Sequence, residues 1–208
     1  ILIVASLADS LINFRGPLIS ALQASGFEVH VAAPDLPAQS ATRLHLQGLN
    51  LRVHEVPMAR TGTNAVADLR TVFALWLLMR RIRPDKVLSY TIKPVIYGSL
   101  AAWLAGVPCR FALITGLGYA FQGRANTRGN LRALVQRLYG LALRCTHKVF
   151  FQNPDDQALF RSLGLLSLGT PFCVVNGSGV DVSAFAVAPL PPNPTFLLIA
   201  RLLGDKGV

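Results

Sequence analysis

Apolar segments of strand length alternate with longer segments of helical periodicity along most of this 208-residue chain. Continuous apolar runs predict strands, whereas apolar residues spaced three and four apart predict helices. The predicted strands are 1–6, 27–33, 49–56, 86–90, 110–114, 147–152 and 172–175, and the predicted helices are 14–25, 37–47, 64–83, 95–105, 130–145 and 154–163. This repetition indicates an α/β fold: a Rossmann-like doubly wound parallel sheet covered on both faces.

Two of the predicted helices carry start or stop signals of their own. Asn64 is a favoured N-cap and Pro84 ends a helix at the preceding residue, which together predict a long helix over 64–83. Asn153 followed by Pro154 predicts another helix start. The helix over 64–83 is apolar nearly all round, so we expect it to be buried or to lie against lipid. No apolar run reaches the roughly 20 residues that a membrane span needs.

The net charge of +10 is concentrated in one stretch of the chain. Residues 60–152 contain 14 Lys and Arg against two Asp, whereas the other residues carry six basic and eight acidic groups. We expect this stretch to present a basic face to an anionic partner. Aromatic residues are not interleaved with the arginines and no recognition motif occurs, which argues against nucleic acid.

The predicted helix over 130–145 has an apolar stripe with basic residues on its flanks. Arg128, Arg132 and Arg137 are placed to meet lipid phosphates while the stripe enters a membrane surface. A helix that faces an ordinary protein core shows the same pattern. Both interpretations of this helix stay open.

Ligands of an open doubly wound sheet gather beyond the carboxyl ends of its strands. The first such segment contains Asn13, Arg15 and Gly16. Gly16 would let a ligand approach the backbone, and Arg15 could face a phosphate. A plain surface loop with a solvated arginine explains the segment equally well. It lacks the spacing of a dinucleotide-binding fingerprint, and the absence of a P-loop argues against a nucleotide triphosphatase.

Two further segments at predicted strand ends offer binding groups. Thr91 and Lys93 follow the fourth strand, where Lys93 is favoured as a binding cation over a surface charge because its neighbours are strongly apolar. Gly116 and Gly118 follow the fifth strand and would admit a sugar or phosphate close to the backbone. A tight turn with core aromatic residues is the alternative for this second segment.

Metal and disulfide chemistry are not indicated. Cys109, Cys145 and Cys173 are odd in number and set among apolar residues, which favours buried thiols in a reducing compartment. The four histidines show no spacing typical of a metal site. We therefore expect no metal ion and no cofactor.

The C-terminal segment combines an apolar run with two cations. Residues 196–200 predict a buried strand, after which Arg201 precedes a glycine-rich turn that contains Lys206. One cation at a strand end and a second at a helix entrance suit a diphosphate. We therefore expect this chain to be the N-terminal piece of a larger enzyme.

These motifs resemble those of family-4 retaining glycosyltransferases. The segment from Val175 to Asp181, the proline-rich spacer 189–194 and the Arg201 to Lys206 motif look like that family's domain crossover. The Asn13 to Pro17 loop, Lys93 with Pro94, and the pair Gly116 and Gly118 resemble bacterial enzymes that extend lipid-linked glycans for capsule, O-antigen or protein glycosylation.

The resemblance implies a two-domain GT-B architecture with the reaction in the cleft. It implies an N-terminal acceptor-binding domain over 1–182, a linker over 183–194 and the start of a donor-binding domain over 195–208. Arg201 and Lys206 would then be catalytic, holding the diphosphate leaving group of a nucleotide-sugar donor without a metal ion. The acceptor would be a lipid-linked glycan, and the enzyme would sit on the cytoplasmic face of the membrane.

Two departures from the family pattern are visible. The paired glutamates that follow the family's lysine lie beyond the last residue, so we expect this piece to be inactive alone. Many members have a histidine where this chain has Tyr90. A nucleotide-sugar 2-epimerase of the same shape, or a non-enzymatic basic domain that binds membrane or nucleic acid, remains an alternative.

Overall fold

The computed structural model describes residues 1–59, 62, 64–116, 129–167 and 169–198. Seven parallel strands form one sheet in the order β3-β2-β1-β4-β5-β6-β7. They are β1 Leu2–Val4, β2 His30–Ala33, β3 Arg52–Glu55, β4 Lys86–Tyr90, β5 Cys109–Ile114, β6 Lys148–Phe151 and β7 Phe172–Val174. The predicted Rossmann-like α/β fold is confirmed.

Seven α-helices accompany the strands in the described ranges. They are α1 Asp9–Asn13, α2 Gly16–Ala24, α3 Ala41–Gly48, α4 Ala65–Ile82, α5 Ile92–Leu104, α6 Gly129–Arg144 and α7 Pro154–Ser162. Because β1 lies between β2 and β4, the direction in which strands are added reverses there. This switch point is where open α/β sheets bind ligands.

Two apolar cores cover the two faces of the sheet. Leu2 and Val4 of β1 point into the core beneath α4 to α7, whereas Ile3 points into the opposite core beneath α1 to α3. All three side chains are fully buried because a parallel strand in the middle of a sheet is covered on both faces. Helix α5 approaches β4 so closely that a Cβ atom at Gly98 would overlap Ser89 Oγ.

The predicted ends of α4 are confirmed by their capping contacts. Asn64 Oδ1 accepts hydrogen bonds from the N–H groups of Val66 (3.1 Å) and Ala67 (3.2 Å). At the other end Arg83 adopts a left-handed conformation (φ 46°) directly before Pro84. The predicted start of α7 is confirmed as well, because Asn153 Oδ1 accepts from Asp156 N at 2.7 Å.

Two local predictions were wrong. The segment after β1, predicted to be a loop, forms the short helix α1, because Leu11 packs into the core and Ser10 Oγ bonds back to Leu7 O. One face of α4 is exposed, so the helix is not buried all round, and the other expectation, that it lies against lipid, stays a prediction. Residues 196–198, predicted to begin a buried strand, are exposed and unpaired.

The chain divides into two compact units, Ile1–Ser178 and Gly179–Val208. The described part of the second unit contains a 3₁₀ turn at Val182–Ala184, where Asp181 Oδ1 accepts from Ser183 N at 3.0 Å. Residues 186–198 form neither helix nor strand.

Candidate functional site

Two hydroxyl pairs connect the segments that follow β1 and β4. Ser6 Oγ lies 2.8 Å from Thr91 Oγ1, and Ser10 Oγ lies 2.6 Å from the Tyr90 hydroxyl. The residues of each pair are 85 and 80 positions apart in sequence, so the parallel pairing of β1 with β4 is what brings them together. The two pairs form a fixed polar platform at the switch point, which consists of Ser6, Ser10, Tyr90 and Thr91.

Arg15 lies against this platform and is 5% exposed. Its Nη1 donates to Phe14 O (3.3 Å) and to Ser178 Oγ (2.7 Å), and its guanidinium carbon lies 4.8 Å from the centre of the Tyr90 ring. Its Nε is buried and has no hydrogen-bond partner among the described residues. Burial lowers the pKa of Arg15 from its ordinary value, although arginine remains charged in proteins.

The charge on Arg15 has no carboxylate counter-ion among the described residues. A buried charge is costly unless it is paired and hydrogen-bonded. Tyr90 does not neutralise it, because burial raises the pKa of that phenol to about 12. An anionic ligand would supply what this guanidinium lacks.

Thr91 holds an unusual backbone conformation at the start of α5. Its φ of 68° and ψ of 165° lie in a region populated almost solely by glycine, which costs on the order of 1–3 kcal/mol. Its side chain bonds to Ser6 and caps no N–H group of α5. Backbone strain of this kind clusters at functional sites.

The other predicted residues differ in how they relate to this platform. Lys93 is 9% exposed and its Nζ lies 3.1 Å from Asp68 Oδ1, so its charge is already paired. Asn13 is exposed at the end of α1, and Gly16 has open space where a side chain would be. Gly116 has a φ of 151°, which favours glycine.

Four predicted site residues lie outside the described residues: Gly118, Arg128, Arg201 and Lys206. Of the two remaining basic residues predicted to face a membrane, Arg137 is exposed and Arg132 is half-buried. Sequence reasoning missed Ser6, Ser10 and Ser178 as site residues. The first two could have been found because both lie between the end of β1 and the start of α2.

A family model, described as a glycosyl transferase 4-like domain, matches residues 15–167 and so begins at Arg15 itself. This chain belongs to the glycosyl transferase 4-like domain family. The match covers the strands and helices from α2 to α7, which includes the β4 side of the switch point. The predicted family resemblance is confirmed.

Two curated relatives are glycosyltransferases named for lipid-linked acceptors. The N,N'-diacetylbacillosaminyl-diphospho-undecaprenol alpha-1,3-N-acetylgalactosaminyltransferase of Campylobacter jejuni is 29% identical over 213 residues, which is 96% of this chain and 55% of that protein. The UDP-Gal:alpha-D-GlcNAc-diphosphoundecaprenol alpha-1,3-galactosyltransferase of Escherichia coli is 27% identical over 140 residues, or 67% of this chain and 34% of that protein. The chain thus spans about half the length, or less, of these relatives.

Solved structures share the fold at low sequence identity. A UDP-N-acetylglucosamine 2-epimerase superposes with a TM-score of 0.62 at 16% identity, covering 93% of this chain and 52% of its own. A glycosyltransferase from Rickettsia africae gives a TM-score of 0.57 at 17% identity, covering 92% and 46%. At these identities the likeness is one of fold.

The described residues contain neither a candidate membrane span nor a candidate metal site. None of their helices is both long enough and apolar enough to cross a bilayer. No cluster of three or more His, Cys, Asp or Glu side chains suited to a metal ion occurs among them.

Proposed function

We propose that this chain is the acceptor-binding part of a retaining glycosyltransferase that moves a sugar from a nucleotide-sugar donor to a lipid-linked glycan. The observation that carries the proposal is Arg15, a buried cation at the switch point of the sheet that has no counter-ion among the described residues. The acceptors in the names of the two curated relatives contain a diphosphate, which is the kind of anion that an arginine fork binds.

Arg15 and Thr91 bind the acceptor in this proposal. The Arg15 guanidinium meets oxygens of the acceptor diphosphate, and Tyr90 holds that guanidinium by stacking beneath it. We assign Asn13, Gly16, Gly116 and Gly118 to acceptor binding as well. Lys93 joins the site only if its pairing with Asp68 opens.

Arg201 and Lys206 bind the diphosphate of the donor, in a polypeptide that continues into a donor-binding domain. The acceptor hydroxyl oxygen forms a bond to the anomeric carbon while the bond from that carbon to the donor phosphate breaks. The departing phosphate takes the hydroxyl proton, and the two cations neutralise the charge that develops on it. Attack on the face that the phosphate leaves gives retention.

Docking on the cytoplasmic face of the membrane completes the proposal, in the synthesis of a bacterial surface polysaccharide or glycoconjugate. Arg137 is exposed on α6 between Leu134 and Leu141, which are 52% and 50% exposed. Together with Arg128 and Arg132, it would meet anionic lipid headgroups. Changing these three arginines to Glu should release the protein from floating liposomes, and unchanged flotation would remove this part of the proposal.

A transfer assay tests the proposed reaction. A polypeptide of the relatives' length is incubated with UDP-hexoses or UDP-N-acetylhexosamines and a diphosphoundecaprenol-linked monosaccharide, and the products are read by mass spectrometry and NMR. We expect the acceptor to gain one sugar in an α linkage. A UDP-sugar inverted at C2, with the acceptor unchanged, would instead support the epimerase alternative, whose fold is shared.

A further inference from the structure

Helix α4 exposes a continuous apolar stripe on its outer face. Val66, Leu69, Phe73 and Leu77 are 80%, 69%, 56% and 48% exposed. Their spacing of three, four and four residues places them on one side of the helix. Over eleven residues the stripe extends about 16 Å.

The fold of the described chain does not require this stripe. The opposite side of α4 buries Thr71, Leu75 and Met79, each at 1% exposure or less. These residues already attach the helix to the core beneath α4 to α7. Four large apolar side chains in water on the other side are therefore unexplained by folding.

The charges beside the stripe define the partner that it suits. Arg70, Arg80, Arg81 and Arg83 are all exposed, and none of them forms an ion pair with another described residue. Asp68 is the one acid in α4, and Lys93 engages it at 3.1 Å. An apolar stripe edged by unpaired guanidiniums complements a surface that offers anionic oxygens above an apolar layer. An anionic lipid bilayer has this composition.

The stripe also begins beside the candidate site. The ion pair between Asp68 and Lys93 joins the first turn of α4 to the first turn of α5, directly after the strained Thr91. Leu69 is the next residue along α4. A surface that enters lipid at this end of the helix would hold the site close to a lipid-borne acceptor.

We propose that the outer face of α4 lies in the interface of an anionic lipid bilayer, with Val66, Leu69, Phe73 and Leu77 among the acyl chains and the arginines at the phosphates. The benefit to a lipid-linked acceptor rests on the proposed function, whereas the lipid binding does not. This surface is distinct from the arginines of α6, so variants of the two helices can be compared.

Vesicle binding of the 208-residue chain tests the proposal. Partition is measured by flotation with phosphatidylcholine vesicles, with and without roughly 30 mol % phosphatidylglycerol. This anionic lipid gives the vesicles a charge density that recruits basic helices. We expect the double variant Leu69→Gln with Phe73→Gln to lose at least about tenfold in partition, because two large side chains leave the acyl layer. Leu44→Gln is the matched control, since Leu44 is a 56% exposed leucine on α3; it should bind as the wild type does.

A second pair of measurements separates charge from apolar insertion. Changing Arg80 and Arg81 to Gln should weaken partition about tenfold or more at low salt. The difference from the wild type should shrink at about 0.5 M salt, because the Debye length there is roughly 3–5 Å and the charges are screened. Circular dichroism checks that each variant is folded. Equal binding to neutral and anionic vesicles, or wild-type binding by the Leu69 and Phe73 variant, would overturn the proposal.

Two further readouts exclude other occupants and keep the two proposals apart. Loss of a dimer by the Leu69 and Phe73 variant in vesicle-free sedimentation would assign the stripe to a second copy of the chain and overturn the lipid assignment. In the transfer assay with a short-chain acceptor in solution, a polypeptide of the relatives' length that carries this variant should keep its wild-type rate. A variant that loses vesicle binding but keeps that rate supports the lipid assignment, and a wild type that binds vesicles without transferring sugar contradicts only the proposed reaction.

Discussion

Within the part of the chain that the structure describes, a charged group is buried without a counter-ion at the carboxyl edge of β1 and β4, whereas large apolar groups are exposed on the outer face of α4. Arg15 represents the first case and Phe73 the second. Each departs from the usual rule that buried polar groups are paired and large apolar surfaces are covered. The buried cation is suited to an anionic ligand, and the exposed face of α4 is suited to an apolar environment. A lipid diphosphate has both an anionic part and an apolar part.

The largest effect should come from the donor-side cations. In a polypeptide of the relatives' length, Arg201→Ala together with Lys206→Ala should lower turnover by roughly 10³-fold or more, because charge on the leaving diphosphate loses its stabilisation. Vesicle binding should stay unchanged, since α4 is untouched. Full turnover by this double variant would contradict the proposed donor site.

The two faces of α4 should differ sharply in their effect on stability. Leu75→Ala should cost about 3 kcal/mol of unfolding free energy, because it opens a cavity in the core. Leu69→Ala on the outer face should change that free energy by about 0.5 kcal/mol or less. Urea unfolding followed by circular dichroism measures both, and comparable losses would mean that the outer face is covered in solution.

Tyr90 should matter through its ring more than through its hydroxyl. Tyr90→Leu removes the surface beneath Arg15 and should raise the KM for the lipid acceptor about tenfold with little change in kcat. Tyr90→Phe keeps the ring, loses the bond to Ser10 and should raise KM about threefold or less. If kcat falls instead while KM holds, Tyr90 does not act by positioning Arg15.

A smaller effect is expected away from both regions, at the stacked pair His30 and His54, whose Nδ1 and Nε2 atoms are 2.9 Å apart. Burial lowers the pKa of His54 to about 4, helped by the charges of His30 and Arg43. The folded state therefore binds this proton less readily than the unfolded chain does. The contribution of neutral His54 to the unfolding free energy is complete above about pH 6.5 and should be lost as pH falls from about 6.5 to 4.

Because His54 is half-exposed, this loss should be on the order of 1 kcal/mol or less. His54→Gln should flatten the slope of unfolding free energy against pH over that range. A slope that is the same in the wild type and this variant would show that the protonation of His54 is not linked to folding.

Local signals were enough for much of the fold. The N-cap Asn64 and the stop at Pro84 gave α4 its predicted ends, and β4 was predicted over the same residues that it occupies, Lys86–Tyr90. Helix α1 was missed because five residues are too few to show helical periodicity. Burial of Leu11 stabilises it, and that is a tertiary contact.

The site was predictable only in part, because its contacts join distant residues. Arg15 was a candidate from its loop, but its stacking on Tyr90 depends on β1 pairing with β4. The apolar neighbours of Lys93 suggested a binding cation, yet they gave no sign of its partner Asp68, 25 residues earlier. The strain at Thr91 is likewise a backbone property that no residue type announces.

Direct titration of the 208-residue chain with geranyl diphosphate, geraniol and UDP tests the role of Arg15 most directly. We expect the wild type to bind the diphosphate in preference to the alcohol, and Arg15→Met, which fills similar space without charge, to lose at least about tenfold in that affinity. Equal affinity of wild type and Arg15→Met for geranyl diphosphate would contradict the account, and loss of UDP binding alone would move Arg15 from the acceptor to the donor.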